Sequence, residues 1–376
     1  STRVYDEDQR HPNIKYRTIR SEGHDFTYQQ TLPGLLPRMC ASLLAARKRA
    51  KQEMKKAKKE GDLARAQIFN SRQLAIKISA NSIYGFTGAT KTSKYASRAI
   101  AMCVTATGRE LIKHSQRMAE MNNQAIVAQG DTDSIFVQFK NCDFKDAFHR
   151  GDVLARKITA ELQRLYGPSI ELEFEKNYSA IILMVKKHYV GFCYEQFDKP
   201  GKLDAKGVAG IRRSFCVFQR NLYWAVVRCL LIDRNTSKAV TTLTDAFNNL
   251  LAHKVPMTEL TLTVKLNDDY KQPERSIAPI VANHIERATG ERPLVGGRVG
   301  FVVIHNQTTG GLYKKVWPVD LLTPDIEIDY NHYVKTLEHE MSSLFIPYKI
   351  DIITTCFQPF YSQWFSRNFR NCFVIT

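Results

Sequence analysis

No two of the eight cysteines form a C-x-x-C pair: they stand at Cys40, Cys103, Cys142, Cys193, Cys216, Cys229, Cys356 and Cys372. That spacing excludes a zinc ribbon and leaves scattered, buried thiols in a reducing compartment as the plain reading. Long hydrophobic runs are missing too. The longest, Ala180 to Val185, is far short of the roughly 18 residues that span a bilayer. The N-terminus lacks the apolar core of a signal peptide, so the chain reads as intracellular. It begins with Ser1 in no obvious structural element, which suggests a fragment. Internal repeats and low-complexity segments are absent apart from one Lys-rich arm. Acidic residues are in short supply: 37 Asp and Glu stand against 54 Lys and Arg, a net charge of +17. Such an excess favours a polyanionic partner, nucleic acid or an anionic surface. The 376 residues, 44% of them apolar and 24% charged, exclude compositional disorder and suffice for two or three domains.

Residues 1 to 33 read as polar and irregular. A helix is expected from Pro37 through the basic run Arg47 to Lys59, closed by Gly61-Asp62. Leu63 to Tyr84 follows as a second helix, with Ile68, Leu74 and Ile78 near helical spacing. Together they make an antiparallel helical hairpin, basic on its first arm. A third helix is expected over Ser93 to Met121. Ala125–Gln129 and Ser134–Phe139 read as strands of a hairpin turned by Gly130 to Asp133. After a helix from Phe144 to Tyr166, Ile170 to Lys176 alternates apolar residues with Glu171, Glu173 and Glu175, the pattern of a strand with one acidic face. Ile181 to Cys193 reads as a strand pair or one long bent strand. From about Pro256 helices dominate, with one strand at Val299 to His305, so a domain boundary is placed near 255. Thr354 to Thr376 is aromatic and basic and reads as a terminal packing helix, with a clamp-like partner as the alternative.

Two groups of residues carry chemistry. Asp131-Thr132-Asp133 places two carboxylates at one hairpin tip, where their repulsion calls for a cation. Mg²⁺, a hard ion held by one or two carboxylates plus waters and phosphates, suits them. The competing reading is a solvated Asp-rich turn. In the second group Lys77, Asn81 and Tyr84 lie at i, i+4 and i+7 and present an ammonium, an amide and a phenol on one helix face. The ammonium can hold a triphosphate, and the other two can contact sugar and base. Arg47 and Lys51, at i and i+4 on the preceding helix, can clamp phosphate oxygens. For each of these helices the competing reading is an ordinary solvated polar face.

Taken in order, these segments resemble family B DNA polymerases. Lys77-Ile78-Ser79-Ala80-Asn81-Ser82-Ile83-Tyr84-Gly85 is similar to the family's K-x3-N-S-x-Y-G fingers motif. Gly130-Asp131-Thr132-Asp133-Ser134 is similar to its Y-G-D-T-D-S palm motif, and Lys186-Lys187-His188-Tyr189-Val190-Gly191 to K-K-R-Y-x-G. Gly34-Leu35-Leu36-Pro37 followed by Ala46 to Lys51 matches the start of the fingers. Order and spacing agree over about residues 33 to 350, and the chain is most like delta-type enzymes and those of large DNA viruses, herpesvirus-like ones included.

The resemblance implies an α+β right hand with an antiparallel-sheet palm, helical-hairpin fingers and a mostly helical thumb. Residues 1–37 would lead into the fingers, 38–92 form them, 93–255 form the palm and 256–376 the thumb and tail. It implies two-metal phosphoryl transfer with Mg²⁺. Asp133 would bridge the ions, Asp131 would lie beside them, and Glu173 would be a peripheral metal contact or merely a solvated strand residue. Arg47, Lys51 and Lys77 would bind the incoming triphosphate, with Asn81 and Tyr84 near the nascent base pair. Lys187, Tyr189, Lys206, Gly207, Arg212 (with Arg213) and Lys265 would touch primer–template DNA. Deoxynucleoside triphosphates, primer–template and a processivity factor are the implied partners, no membrane is, and the nucleus (a host nucleus, if viral) is the implied place. Gln129, His188 and Gly297 stand where relatives have Tyr, Arg and often Asp; tuning of primer binding is expected from these. The D-x-x-S-L-Y-P-S motif, which supplies the other metal-binding Asp, matches nothing here, nor do the exonuclease motifs or the delta-type cysteine clusters. Half of the metal site is therefore expected to lie upstream of Ser1. The alternatives are a non-catalytic nucleic-acid-binding relative and a reverse-transcriptase-like palm. The Lys77–Gly85 helix argues against the latter.

Overall fold

The computed structural model describes residues 6, 9–31, 34–89, 91–121, 125–306 and 310–368. The fold is α+β, with every sheet antiparallel. It divides into two compact units, Ser1–Phe174 and Glu175–Thr376.

The first unit opens with a hairpin where irregular chain is expected. Strands β1 (Tyr16–Ser21) and β2 (His24–Gln29) pair through the two-residue turn Glu22-Gly23. Both turn residues have positive φ, at 51° and 81°, as a turn matching strand twist requires. Helices α1 (Leu35–Lys59) and α2 (Leu63–Gly88) follow as the expected hairpin. Asp62 caps α2 by accepting the Arg65 N–H at 2.9 Å. The seam between the helices is built from small residues: Ala50, Ala57 and Ala66 are buried, and they let the two helices approach closely. Helix α3 (Arg98–Glu120) starts five residues later than Ser93, because the Ser97 hydroxyl caps it. It packs against β1, α2 and the hairpin of β3 (Ala125–Asp131) and β4 (Ser134–Phe139). Helix α4 (Phe144–Tyr166) closes the unit, capped by Asp143.

Residues 170–176 form no strand, contrary to their alternation. Ile170 and Leu172 bond to α4 instead. The Thr159 hydroxyl accepts from the Leu172 N–H (2.9 Å) and donates to the Leu172 carbonyl (3.1 Å). Gln163 Nε2 donates to the Ile170 carbonyl at 3.0 Å. Phe174 then lies against Gly151, where an added Cβ would sit 2.6 Å from its ring. An extended segment laid on a helix shows the same period of two as a strand.

The second unit starts with a three-stranded sheet, β5 (Asn177–Val185), β6 (His188–Tyr194) and β7 (Lys202–Lys206), ordered β5-β6-β7. The expected strand pair over 181–193 is thus present as a hairpin. Helices α5 (Val217–Leu231), α6 (Thr236–Leu251) and the short α7 (Met257–Leu260) lead to β8 (Leu262–Lys265). Then come α8 (Ile277–Thr289), β9 (Arg298–Val303), β10 (Val316–Pro318), α9 (Tyr330–Phe345) and α10 (Gln358–Asn368). The single strand expected at 299–305 is the centre of a second sheet, ordered β10-β9-β8.

One continuous core runs through this unit, from Ile182 and Val190 through α5 and α6 to α9 and Trp364 of α10. The boundary expected near 255 therefore falls inside a single core. On α9, Tyr333, Leu337, Met341 and Leu344 recur at helical spacing and are fully buried. Burial contributes about 1.5–3 kcal/mol for each such side chain. Gln219 ties α5 to α9: its amide donates to the Tyr333 carbonyl and the Thr336 hydroxyl, each at 2.7 Å, while its Oε1 accepts from the Cys216 N–H at 2.9 Å. The terminal packing helix is seen over 358–368. Residues 369–376, Cys372 among them, lie outside the described residues.

Candidate active site

In the first unit the two aspartates sit at a two-residue hairpin tip. Asp131 pairs with Ser134 in register, so Thr132 and Asp133 alone make the turn. Thr132 has φ of +50°, a region that a β-branched residue rarely enters. Such strain costs about 1–3 kcal/mol and collects at functional sites. The turn is held from within. The Asp133 N–H donates to the Asp131 carbonyl, and Ser134 Oγ donates to the same oxygen at 3.2 Å. Thr132 Oγ1 donates to Asp131 Oδ1 at 3.1 Å. Asp131 is half-buried and Asp133 exposed.

Helix α3 sets the strand beneath this tip. A Cβ added at Gly130 would lie 2.6 Å from Gln116 Nε2, so the Gln116 side chain of α3 reaches over the strand at this glycine. Glu120 of α3 accepts the Val127 N–H at 3.1 Å, next to a bulge between Val127 and Gln129. A bulge re-aims the strand that follows it.

The helical hairpin presents the second group. Lys77, Asn81 and Tyr84 lie on one face of α2 and are exposed. Arg47 and Lys51 are half-buried on α1. Arg47 Nε donates to Gln73 Oε1 at 3.3 Å, and the buried Gln73 donates in turn to Asn70 Oδ1 at 3.2 Å. The two helices run antiparallel, so Lys51 stands one turn toward the hairpin tip from this contact and Lys77 one turn away from it, each offset by ~6 Å. The cations thus form a line along the hairpin rather than one cluster.

Glu173 is exposed in the extended segment after α4, and no three Asp, Glu, His or Cys side chains come together as a metal-holding group among the described residues. Asp131 and Asp133 are thus neighbours at the hairpin tip, and Glu173 does not join them in a three-residue group. Two hard carboxylate donors fit one Mg²⁺ completed by water and phosphate oxygens.

In the second unit Lys187 is at the two-residue turn between β5 and β6, with φ of +66°. Gly207 meets that turn. Its own φ is +72°, and a Cβ there would lie 2.3 Å from the Lys187 carbonyl. Lys206 pairs with Tyr189 across β6 and β7 and is exposed. Tyr189, expected to touch DNA, is buried, with its ring 6.5 Å edge-to-face from Tyr178. Tyr178 also covers Gly191, which explains the glycine of the Lys186–Gly191 segment. Beside it, Asp204 accepts from Lys176 Nζ (2.8 Å) and Tyr178 Oη (2.5 Å). Burial alone pushes the Asp204 carboxyl up, but these two bonds prevail and hold it below its ordinary value. Arg212, also expected at DNA, is instead paired with Glu340 Oε1 at 2.7 Å. Lys265 is exposed on β8, directly opposite Arg298 on β9. Like charges so placed repel. Arg298 is turned onto Thr263, donating to its hydroxyl at 3.1 Å and its carbonyl at 2.7 Å.

Comparison with known proteins identifies the family. Residues 2–348 match the family model described as DNA polymerase family B. The chain belongs to DNA polymerase family B. Among curated relatives it is similar to the DNA polymerase delta catalytic subunits of Glycine max, at 34% identity over 91% of this chain and 32% of the relative, and of Plasmodium falciparum, at 30% over 89% and 31%. The corresponding subunit of Bos taurus is 33% identical over 83% of this chain and 29% of the relative. The chain spans about a third of the length of these relatives. A plant, a parasite and a mammal support the delta-type side of the resemblance.

Some residues that support these groups, each within its own unit, carry no sequence signal of their own. Glu340 is 128 residues from its partner Arg212, and Gln116 and Glu120 read only as polar positions on α3. Gly151 and Gly207 could have been suspected as sites of close approach, but not what approaches them.

Proposed function

We propose that this chain forms part of a DNA polymerase that adds deoxynucleoside triphosphates to a primer 3′ end by two-metal phosphoryl transfer. The α1–α2 hairpin acts as the fingers, the β3–β4 hairpin as the catalytic tip of the palm, and residues from 256 onward as the thumb. The observation carrying this reading is the strained Asp131-Thr132-Asp133 tip, in one compact unit with the exposed Lys77, Asn81 and Tyr84 face.

Asp131 and Asp133 would hold Mg²⁺, which, when bound, offsets the charge that develops on the transferring phosphoryl group. The rest of the work falls to the chain's own side chains. Arg47, Lys51 and Lys77 bind the triphosphate and neutralise pyrophosphate as it leaves. The line these cations make along the hairpin suits an extended polyphosphate. Asn81 and Tyr84 orient the sugar and base. Lys187, Lys206 and Lys265 hold the primer–template backbone without reading sequence, which suits an enzyme that copies any template. A processivity factor and a nuclear location accompany this reading.

The test is primer extension by the full-length product carrying Asp133→Asn. The expected result is loss of extension with primer–template binding retained. Unchanged extension refutes the metal assignment.

A further inference from the structure

The loop that follows β7, Lys206 to Arg213, is pinned at several points. Gly207 abuts the Lys187 carbonyl. Trp224 Nε1 donates to the Gly210 carbonyl at 3.0 Å, and its indole leaves no room for a Cβ at Gly210. The third pin comes from α9. Glu340 Oε2 accepts the Ala209 N–H at 3.2 Å, while its Oε1 takes Arg212 Nη1 at 2.7 Å. One carboxylate thus holds the loop by backbone and side chain together. The Glu340 side chain is only 13% exposed and that of Arg212 43%, so the carboxylate is shielded while the guanidinium is partly open to water.

The two neighbouring arginines are placed differently. The Arg212 guanidinium lies 5.1 Å from the Phe215 ring centroid besides pairing with Glu340. Arg213 is exposed and has no ion-pair or hydrogen-bond partner among the described residues. A cation already spent on a shielded carboxylate neutralises it and adds little to the outward field, whereas an unspent one keeps its whole charge for a phosphate.

We propose that Glu340 is a positioning residue for the Lys206–Arg213 loop, that Arg212 serves as its internal counter-ion, and that Arg213 is the cation presented to a nucleic-acid phosphate. This rests on the reading of the loop as a DNA-contacting element. Removing the Glu340 carboxylate leaves the Ala209 N–H without its acceptor and Arg212 without its partner, and the loop loosens.

The experiment measures affinity of the full-length protein for primer–template DNA as a function of salt. Arg213→Ala is expected to lower the slope of log K against log salt by about 0.9, the value for one phosphate contact. Arg212→Ala weakens binding but leaves the slope as it was. Arg212→Ala combined with Glu340→Ala binds no more weakly than Glu340→Ala alone, because Glu340→Ala already breaks the Arg212 contact. Glu340→Gln keeps an acceptor for Ala209 and recovers part of the loss. A slope change for Arg212→Ala equal to that of Arg213→Ala overturns the proposal, and so do additive losses. Hydrogen exchange at the Ala209 amide separates this inference from the reading beneath it. If the unaltered protein binds no DNA, the functional reading falls. Faster exchange in Glu340→Ala, or in Glu340→Gln should the alanine variant not fold, still supports the positioning role. Unchanged exchange in a folded variant overturns it.

Discussion

Replacing Gly207 by alanine should destabilise the protein in two separable ways. The residue sits at φ of +72°, where any Cβ meets its own backbone, at a cost of about 1–2 kcal/mol. The same Cβ would also fall 2.3 Å from the Lys187 carbonyl, closer than real atoms approach. The turn between β5 and β6 must then move, and overpacking of this kind costs about 1–3 kcal/mol. Gly290 is the control. It ends α8 at φ of +77° with nothing within 4 Å of a built Cβ, so Gly290→Ala carries the first cost alone. Both glycines belong to the second unit, for whose size 1 kcal/mol moves a melting temperature by roughly 2–4 °C. Thermal melts of the two variants should therefore differ by roughly 2–12 °C, with Gly207→Ala the lower. Equal melting temperatures would refute the close approach of Gly207 to Lys187.

Asp133→Asn should lower the primer-extension rate by roughly 10²–10³-fold, the scale of losing one preorganised charge-stabilising group; an unchanged rate would remove Asp133 from the chemistry. Lys77→Ala should lower kcat/KM for the incoming nucleotide by about 10–100-fold, as expected for one charge-assisted contact, with a raised apparent KM. Normal steady-state kinetics would end that role. Asp204 should make stability depend on acid. Its folded value is depressed, so its contribution is complete above the unfolded value near pH ~3.9 and is lost as pH falls through the lower folded value. Melts taken toward low pH should fall less steeply for Asp204→Asn than for the unaltered chain. Thr159→Val should cost about 1–3 kcal/mol in denaturant unfolding, because both polar groups of Leu172 lose their partner.

The helical hairpin was legible because its signals are local: good helix formers, then Gly61-Asp62 at the turn. The hairpin that carries the aspartates was legible because apolar strands flank a polar tip. The β1–β2 hairpin was not, since its buried residues include Ser21 and Thr27, so no apolar alternation marks it. Its one signal is Glu22-Gly23, a turn pair readable only if a polar residue followed by glycine is allowed to start a hairpin. Residues 170–176 misled in the other direction. Period-2 alternation reports an extended chain with one covered side, and the cover here is α4, which supplies Thr159 and Gln163 in place of a neighbouring strand. The change in local pattern near 255 says nothing about whether the side chains on either side meet in one core, and here they do.

The same limit applies to the charges of the site. Sequence marks Lys187, Lys206, Arg212, Arg213 and Lys265 alike as cations of a basic chain, and the excess of +17 makes any of them a candidate for nucleic acid. Folding separates them by what else each must satisfy. Arg212 neutralises the shielded Glu340, and Lys176 does the same for Asp204. Lys187 and Lys265 keep exposed positions, and Arg213 keeps an exposed position with no described partner. Counterion release responds to cations that meet phosphate, not to the number in the sequence. The salt slope for DNA binding should therefore follow the outward set, and neutralising Arg212 or Lys176 should change stability more than slope.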